Sequence, residues 1–505
     1  MENTSIMSSI GFEQNSPHEA YEEFMLPDYM PEVRRIVSCS ATVLPDSRYI
    51  DQNGVTLSGI VVYTVLYIGD DGGLNSAPLS TEYTHVCPVR RDEGDLSGAS
   101  LCCKTQLESV VCRATAPRAL KITSRLKSKL FYINELAPES AITATGDEGT
   151  EKVSSADESS IERRCRTVES VNVRFVSGTG SSSGEMQIPD GAKIISCIGR
   201  AAVFDTQVDG SAVSLRGDTY VECLCLESDG RYTTVRAKAP LEERITTDGT
   251  LSSSEAPATA SASARCASVN LNGGTDSVYS WNMEYDIDAT VAQKCSCEII
   301  DDAYSTKYAC NITHSDADAL RVLMNRNQRL SISGSKQLIG STDRSIALVS
   351  GRASIENAEV DPNGQLTLCG VCTVSVVCIG DGDAVSEDVQ IPVRLPCDCR
   401  RTSGAHPYMI TDTEVISADA RIDGDRLSVN AELSITPLIL ESTEERFIGE
   451  ISLDHASPVS DRGGNVTVYF PKPDETLWDI GKHYSCETRE IIPCQGGTPV
   501  MILSK

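Results

Sequence analysis

The sequence predicts a mainly β fold: three repeated antiparallel β-sandwich-like units followed by a small C-terminal α+β module. Three strand-like segments align without gaps around Gly59, Gly217 and Gly370, which lie 158 and 153 residues apart. An interval of that length is the size of a domain and excludes a solenoid of short repeats. The composition changes again after residue 461. We expect the boundaries at 12–160, 161–300, 301–455 and 466–505.

The residues around each glycine favour a β-strand. The segments 55–70, 213–228 and 366–381 are rich in β-branched residues and alternate in polarity or are apolar throughout. Asn-Gly or Asp-Gly pairs precede each segment, as is typical of tight hairpin turns. A glycine at the centre of a strand indicates a bulge or a close approach of two backbones. A second β-rich block follows in each unit, at 107–134, 267–300 and 413–453.

Three other segments have a different character. The stretch 138–164 is acidic, rich in Ser and Thr, and poor in large apolar residues, so we expect a mobile connector there. The stretch 246–265 has a similar composition and predicts a loop within the second unit. Residues 315–325 place Leu320, Leu323 and Met324 at helical spacing, which predicts a helix.

The 20 cysteines of the chain are explained by packing. One position of the repeat is occupied by Tyr67, Cys225 and Cys378, and a metal ligand would not be interchangeable with tyrosine. The N-terminus has neither the basic nor the apolar region of a secretory signal. We therefore expect reduced thiols that fill cores, without a zinc site or a dense disulfide network.

The charge excludes two classes of partner. The net charge is −28, and nucleic acids and anionic lipid surfaces are bound through clustered Lys and Arg. No run approaches the ~20 apolar residues that a membrane helix needs. Together with the missing signal, this predicts a protein of the cytoplasm without a membrane span.

Catalytic motifs are missing from the sequence. It contains no phosphate-binding loop, no His-Glu-x-x-His zinc motif and no nucleophile elbow, and its six histidines are scattered. Paired acids such as Glu22-Glu23 are more common as solvated surface than as catalytic pairs. We expect a protein that is not an enzyme, with no catalytic residue, cofactor or metal ligand.

The C-terminal module reads as a strand at 466–471, a short helix, and a final strand at 500–503. Pro473 and Asp474 suit the start of the helix. Leu477, Ile480, Gly481 and Tyr484 follow the i, i+3, i+4, i+7 spacing of one helical face. Two interpretations of Trp478 remain open: core packing of this helix, or an aromatic anchor at an interface.

The motif Asp474-Glu-Thr-Leu-Trp-Asp-Ile-Gly481 after a hydrophobic strand resembles a LysM domain, which has a βααβ fold. The upstream units, with Leu-Pro-Asp leaders and glycine-centred strands, resemble SPOCS domains. Several SPOCS domains before one LysM domain is the layout of the clostridial spore-coat morphogenesis adaptors. Asp474 stands where LysM domains usually have Gly, Glu475 replaces Asp, Gly481 replaces Ala, and the second helix is cut short.

The resemblance implies a non-enzymatic scaffold or adaptor in spore-envelope assembly. Such a protein would act in the mother-cell cytoplasm at the forespore surface and bind a coat-morphogenesis ATPase through its LysM-like module. The alternative is a wall protein that binds peptidoglycan through N-acetylglucosamine. For either ligand the resemblance points to one set of docking residues: Asp474, Glu475, Thr476, Leu477, Trp478 and Lys482.

Overall fold

A computed structural model describes residues 7–51, 54–88, 100–136, 140–146, 149–152, 154–247, 249, 251, 253, 256–273, 277–338, 344–380, 383–401, 406–459, 466–494 and 499–503. The fold is mainly β with several antiparallel sheets, as the sequence predicts. The elements of the first unit are β1 (Met7–Met25), β2 (Val33–Asp51), β3 (Gly54–Gly69), β4 (Leu74–Pro88), β5 (Ser100–Ala116) and β6 (Ala119–Leu136).

The first unit contains two three-stranded sheets. One has the order β2-β3-β4 and the other β1-β6-β5, and both are antiparallel throughout. Val61, Tyr63 and Val65 of β3 are fully buried against residues such as Leu120 and Ile122 of β6. The core of the unit therefore lies between the two sheets, as in a sandwich.

The second and third units repeat this topology. The second unit pairs β10-β11-β12 and β13-β14-β9, and the third pairs β17-β18-β19 and packs β15, β16 and β20 around β21. Their bounds are β9 (Ile161–Gln187), β10 (Lys193–Asp209), β11 (Ala212–Leu226), β12 (Tyr232–Thr246), β13 (Ala258–Gly273), β14 (Val278–Ser305), β15 (Tyr308–Asn325), β16 (Gln328–Gln337), β17 (Ser345–Val360), β18 (Gln365–Gly380), β19 (Asp383–Arg400), β20 (His406–Asp423) and β21 (Arg426–Pro458).

The three repeat glycines occupy one position of this topology. Gly59, Gly217 and Gly370 each lie in the central strand of a three-stranded sheet. Each is paired with the residue that immediately precedes a β-bulge in the neighbouring strand. A Cβ on Gly59 would lie 2.5 Å from the carbonyl oxygen of Leu44. Glycine is required here because the bulge brings the neighbouring backbone too close for any side chain.

The three units share apolar cores and form a closed ring. Leu66, Leu224 and Val377 each lie seven residues after a repeat glycine, and they pack together in one cluster. A second cluster joins strands of all three units through residues such as Phe131 and Ala292. Hydrogen bonds close the ring: Leu74 N–H to Tyr232 Oη (3.4 Å), Thr234 Oγ1 to the Ala347 carbonyl (2.6 Å), and Arg35 to the Ala384 carbonyl (2.7 Å).

A buried charged cluster also joins the units at equivalent positions. Gln106, Arg265 and Glu414 each stand one residue before a bulge pair in β5, β13 and β20. Lys104 and Asp412 stand two residues before Gln106 and Glu414, and their side-chain nitrogen and oxygen lie 3.2 Å apart. Arg265 forms ion pairs with Asp412 and Glu414. The three equivalent strands β5, β13 and β20, one from each unit, therefore meet at this charged cluster.

The predicted connector at 138–164 is wrong for its described residues. β7 (Ala141–Gly146) pairs in parallel with β21, and β8 (Gly149–Lys152) pairs with β7. α1 (Ser155–Glu158) follows, and β9 begins at Ile161. Ile142 and Ile161 pack in a core that includes Ile448, so these two apolar side chains supply the burial that the composition did not suggest. The predicted loop at 246–265 also contains the start of β13 from residue 258 onward.

The predicted helix at 315–325 is wrong as well. These residues belong to β15, which pairs with β21 from Tyr308↔Pro458 to Asn325↔Leu438. Leu320 and Met324 lie on opposite faces of β15: Leu320 packs in the cluster with Phe131, and Met324 packs in the core of the third unit. Leu323 is the extra residue of a bulge between Val322 and Met324. Pairing with the long strand β21 overrides the helical pattern.

The C-terminal module has a small core of its own. β22 (Val466–Tyr469), β24 (Val500–Leu503) and β23 (Ile491–Pro493) form an antiparallel sheet, with α2 (Leu477–Tyr484) against it. The segment expected to hold a second helix is reduced to a 3₁₀ turn, Thr488–Glu490. The buried core residues are Ile480, Cys486, Ile491, Val500 and Ile502.

Candidate docking site

The helix α2 starts later than the sequence suggested. Thr476 is its N-cap, and a capping box joins Thr476 to Asp479. The hydrogen bonds from Thr476 lower the pKa of Asp479 below its usual value. Pro473 and Asp474 belong to the preceding turn, and Asp474 has φ of 69°, in the left-handed region that a helix excludes. The predicted start at these two residues is therefore wrong.

Trp478 does not pack in the core of its own module. It projects towards the end of β14, where its indole Nε1–H donates to Asp302 Oδ2 at 2.8 Å. Lys482, one helical turn later, places its Nζ 2.6 Å from Asp302 Oδ1. One carboxylate therefore binds two side chains of α2. Burial opposes ionisation of Asp302, but the hydrogen bonds from Lys482 and Trp478 outweigh it and hold its pKa below the usual value.

Tyr304 completes this contact. Its ring meets the Trp478 ring edge-to-face at 4.9 Å between centroids, and its hydroxyl donates to the Cys486 carbonyl at 2.7 Å. A Cβ on Gly481 would lie 2.5 Å from the Tyr304 hydroxyl, so the glycine leaves room for this tyrosine. The Arg164 guanidinium lies over the Trp478 ring, 5.7 Å from its centroid. The module is thus docked on the second unit.

Of the remaining predicted docking residues, three stabilise the structure of the module and one is an exposed apolar side chain. Glu475 accepts hydrogen bonds from the Tyr469 hydroxyl (2.9 Å) and the Lys472 N–H (2.9 Å), and the backbone bond from Lys472 leads in lowering its pKa. Asp474 and Thr476 shape the turn and the cap. Leu477 is the one apolar member on the surface, with 44% of its area exposed.

The sheet of the module has a second apolar surface, on the side away from α2. Val466 and Leu503 are cross-strand partners on this outer face, and Val468 and Ile492 both pair with Met501. Val466, Val468 and neighbouring Phe470 are 50%, 55% and 70% exposed. The opposite face, with Val500 and Ile502, is buried against the helix. Apolar patches of this kind mark surfaces that contact other molecules.

The first unit contains a cluster of one serine and two histidine side chains, residue types that are used in catalysis and metal binding. Ser16 Oγ lies 2.7 Å from His85 Nε2, and His18 stacks on His85 with ring centroids 4.1 Å apart. Burial, reinforced by the charge of His85, lowers the pKa of His18 to about 4. Stacked parallel rings do not direct their nitrogens to a common point. Within the described residues no group of three or more His, Cys, Asp or Glu side chains is arranged to hold a metal.

A cleft of about 560 Å³ lies between the first and third units. Its lining carries four cations, Lys104, Lys127, Lys129 and Arg352, and two acids, Glu108 and Glu356, but Lys129 is paired with Glu13 at 2.8 Å. Lys104, deeper in the lining, is already paired with Asp288 at 3.3 Å. The cleft therefore offers no charge preference that would select a ligand.

The cysteines lie in the cores and sheets. All 20 are free thiols, and nine of them, including Cys223 and Cys378, are buried. Burial and sulfur neighbours raise the pKa of most of them, for example that of Cys372 to about 11. Such thiols are unreactive near neutral pH. This arrangement agrees with the packing interpretation of the sequence.

Sequence reasoning selected Trp478 and Lys482 but missed their partners Asp302 and Tyr304. These two stand just after a β-bulge between Ile300 and Asp302, which turns the end of β14 towards the module. The only signal in the sequence was an Asp301-Asp302-Ala-Tyr304 run that ends a long alternating strand. Nothing in that run indicates a contact with a residue 176 positions later.

Comparison of the chain with protein-family models, with curated proteins and with solved structures finds no match. Among the described residues, no helix is long and apolar enough to cross a membrane.

Proposed function

We propose that the chain is a non-enzymatic scaffold of spore-envelope assembly that binds a coat-morphogenesis ATPase through its C-terminal module. The resemblance to SPOCS and LysM domains suggests the setting, in the mother-cell cytoplasm at the forespore surface. One observation carries the choice of a protein ligand. The Trp478 side of the module already contacts protein groups: a carboxylate, a phenol ring and a guanidinium.

The chemistry of this contact is that of a protein interface. Trp is enriched at interface hot spots because it combines a large apolar area with one hydrogen-bond donor. Here the ring packs on Tyr304 and the donor is satisfied by Asp302. Leu477 extends the same end of α2 with an exposed apolar side chain. A partner that presents an acidic group beside an aromatic ring would be bound in the same way.

The glycan alternative has less support. Sugar recognition needs polar groups that are free to bind hydroxyls. The carboxylates of Glu475 and Asp479 instead accept hydrogen bonds from Tyr469, Lys472 and Thr476 within the module.

The test uses the full-length chain and a Leu477→Glu variant. Leu477 is the first residue of α2, where a carboxylate is favoured by the helix dipole, so the fold should be kept. We expect capture of the ATPase from sporulating cells to fall at least tenfold. His483→Gln, an exposed change on the same helix, is the matched control and should leave capture unchanged.

Two results would overturn the proposal. Pelleting of the chain with purified peptidoglycan, together with no capture of the ATPase, would favour the wall-binding alternative. Loss of capture in Val468→Glu but not in Leu477→Glu would move the docking surface to the outer face of the sheet. Circular dichroism of each variant checks that it is folded.

A further inference from the structure

We propose that Asp302 is the latch of an autoinhibitory contact, which holds the C-terminal module on the second unit and covers Trp478 until the module is released to bind its partner. The inference deepens the proposed function, on which its partner-binding half rests. The half that concerns the latch itself rests on geometry alone.

A single carboxylate is the centre of the contact. Asp302 receives the indole N–H of Trp478 at 2.8 Å and the ammonium of Lys482 at 2.6 Å. The bulge at the end of β14 directs this side chain to α2. Without the extra residue of the bulge, the alternation of the strand would place the Asp302 side chain on the opposite face of the sheet. Loss of this one group would leave the Trp478 donor unsatisfied and remove the ion pair of Lys482.

The rest of the contact is small and largely polar. Besides Tyr304 and Arg164, it includes Thr488 Oγ1, which lies 3.4 Å from Glu162 Oε2. The three sandwich units, in contrast, are joined by shared apolar cores. Small polar contacts between domains are of the kind that opens and closes, whereas large apolar ones are permanent. The module can leave without unfolding because its own core, centred on Ile480 and Ile502, contains no residue of the second unit.

The Trp478 side chain would be used in both states of the module, docked on the second unit and bound to the partner. Trp478 is half-buried in the latched form, so an external partner that needs its ring competes with Tyr304 for it. When the competent state is a minor fraction of the population, the measured Kd is the intrinsic Kd divided by that fraction. Weakening the latch should therefore raise the affinity for the partner.

Tryptophan fluorescence measures the latch without a partner. The chain has two Trp, and Trp281 is 1% exposed inside the second unit, so acrylamide in water reaches mainly Trp478. We expect the quenching constant of Asp302→Ala to be about two to three times that of the wild type, because the ring becomes solvated. Lys482→Glu, which sets two carboxylates against each other, should raise quenching in the same way.

Glu298→Ala is the matched control, because it removes an exposed acid from the same strand without touching the module. Its quenching should equal that of the wild type. Unchanged quenching in both Asp302→Ala and Lys482→Glu would overturn the latch. Circular dichroism confirms the β content of each protein.

Capture of the ATPase tests the inhibitory half. Asp302→Ala should recover at least five times more ATPase than the wild type at equal concentration. Increased quenching with equal or lower capture would overturn autoinhibition. If no form of the chain captures the ATPase, the proposed function fails, and the latch is then decided by the quenching result alone.

Discussion

The charged cluster that joins the three units makes a sharp prediction for Arg265. Its side chain is 7% exposed, and it pairs with Asp412, which is 4% exposed. Arg265→Met would leave Asp412 and Asp288 paired with Lys104, at 3.2 and 3.3 Å, and would remove the cation that lies 3.4 Å from Glu414. Removing one partner of a buried ion pair typically costs about 3–5 kcal/mol, because the remaining charge has lost both water and its counter-ion. We expect a loss of that size.

The matched double variant separates desolvation from a general defect in packing. Arg265→Met with Asp412→Leu removes both charges and leaves Lys104 paired with Asp288 alone, while Glu414, whose pKa burial already raises to about 7, takes up a proton when Arg265 is lost. Apolar replacement of a buried pair is often neutral, so this variant should recover most of the lost stability. Arg394→Met is the surface control: its pair with Glu359 is more than half exposed on both sides, and its loss should cost less than about 1 kcal/mol.

Urea unfolding followed by the fluorescence of buried Trp281 measures all three variants. The reasoning would be refuted if Arg265→Met lost less than about 1 kcal/mol. It would also be refuted if the double variant were no more stable than the single one.

Three further predictions concern single residues. Gly217→Ala should lower the free energy of unfolding by about 3 kcal/mol or more, because its Cβ would lie 2.9 Å from the carbonyl carbon of Ala202 and closer still to the carbonyl oxygen. Gly273→Ala is the control: no atom lies nearer than 3.7 Å to its Cβ, so thermal unfolding should be nearly unchanged. Asp474→Gly should raise the stability of the module by about 1 kcal/mol by relieving the positive φ. His18 should make the stability of the chain fall as the pH drops from about 6.5 to about 4. In that range His18 takes up a proton in the unfolded chain but not in the folded chain. In His18→Phe the midpoint of urea unfolding, measured across this pH range, should depend less on pH.

Each of these has a contrary outcome. Equal midpoints for Gly217→Ala and Gly273→Ala would mean that the bulge is not closely packed. If Asp474→Gly were less stable than the wild type, the Asp474 side chain would stabilise the module by more than the positive φ destabilises it. An unchanged slope in His18→Phe would assign the acid sensitivity to other groups.

The repeat and its strands could be predicted from the sequence because they follow local rules. Period-two alternation, turn residues and a central glycine are properties of neighbouring positions, and Gly59, Gly217 and Gly370 lie in equivalent strands. The same local reasoning was wrong at 315–325, where the bulge at Leu323 breaks the alternation and gives a strand the apolar spacing of a helix. Only pairing with β21 decided between them.

The site divides in the same way. An aromatic residue on a short helix made Trp478 a candidate from the sequence, because its residue type alone suggests recognition. What it contacts was decided by tertiary structure: a bulge at the end of β14 carries Asp302 and Tyr304 to it across 176 residues of sequence. The shared cores and the Arg265 cluster depend in the same way on the closing of three units into a ring. Contacts between residues so far apart arise from the packing of whole sheets, and no pattern within a single strand encodes them.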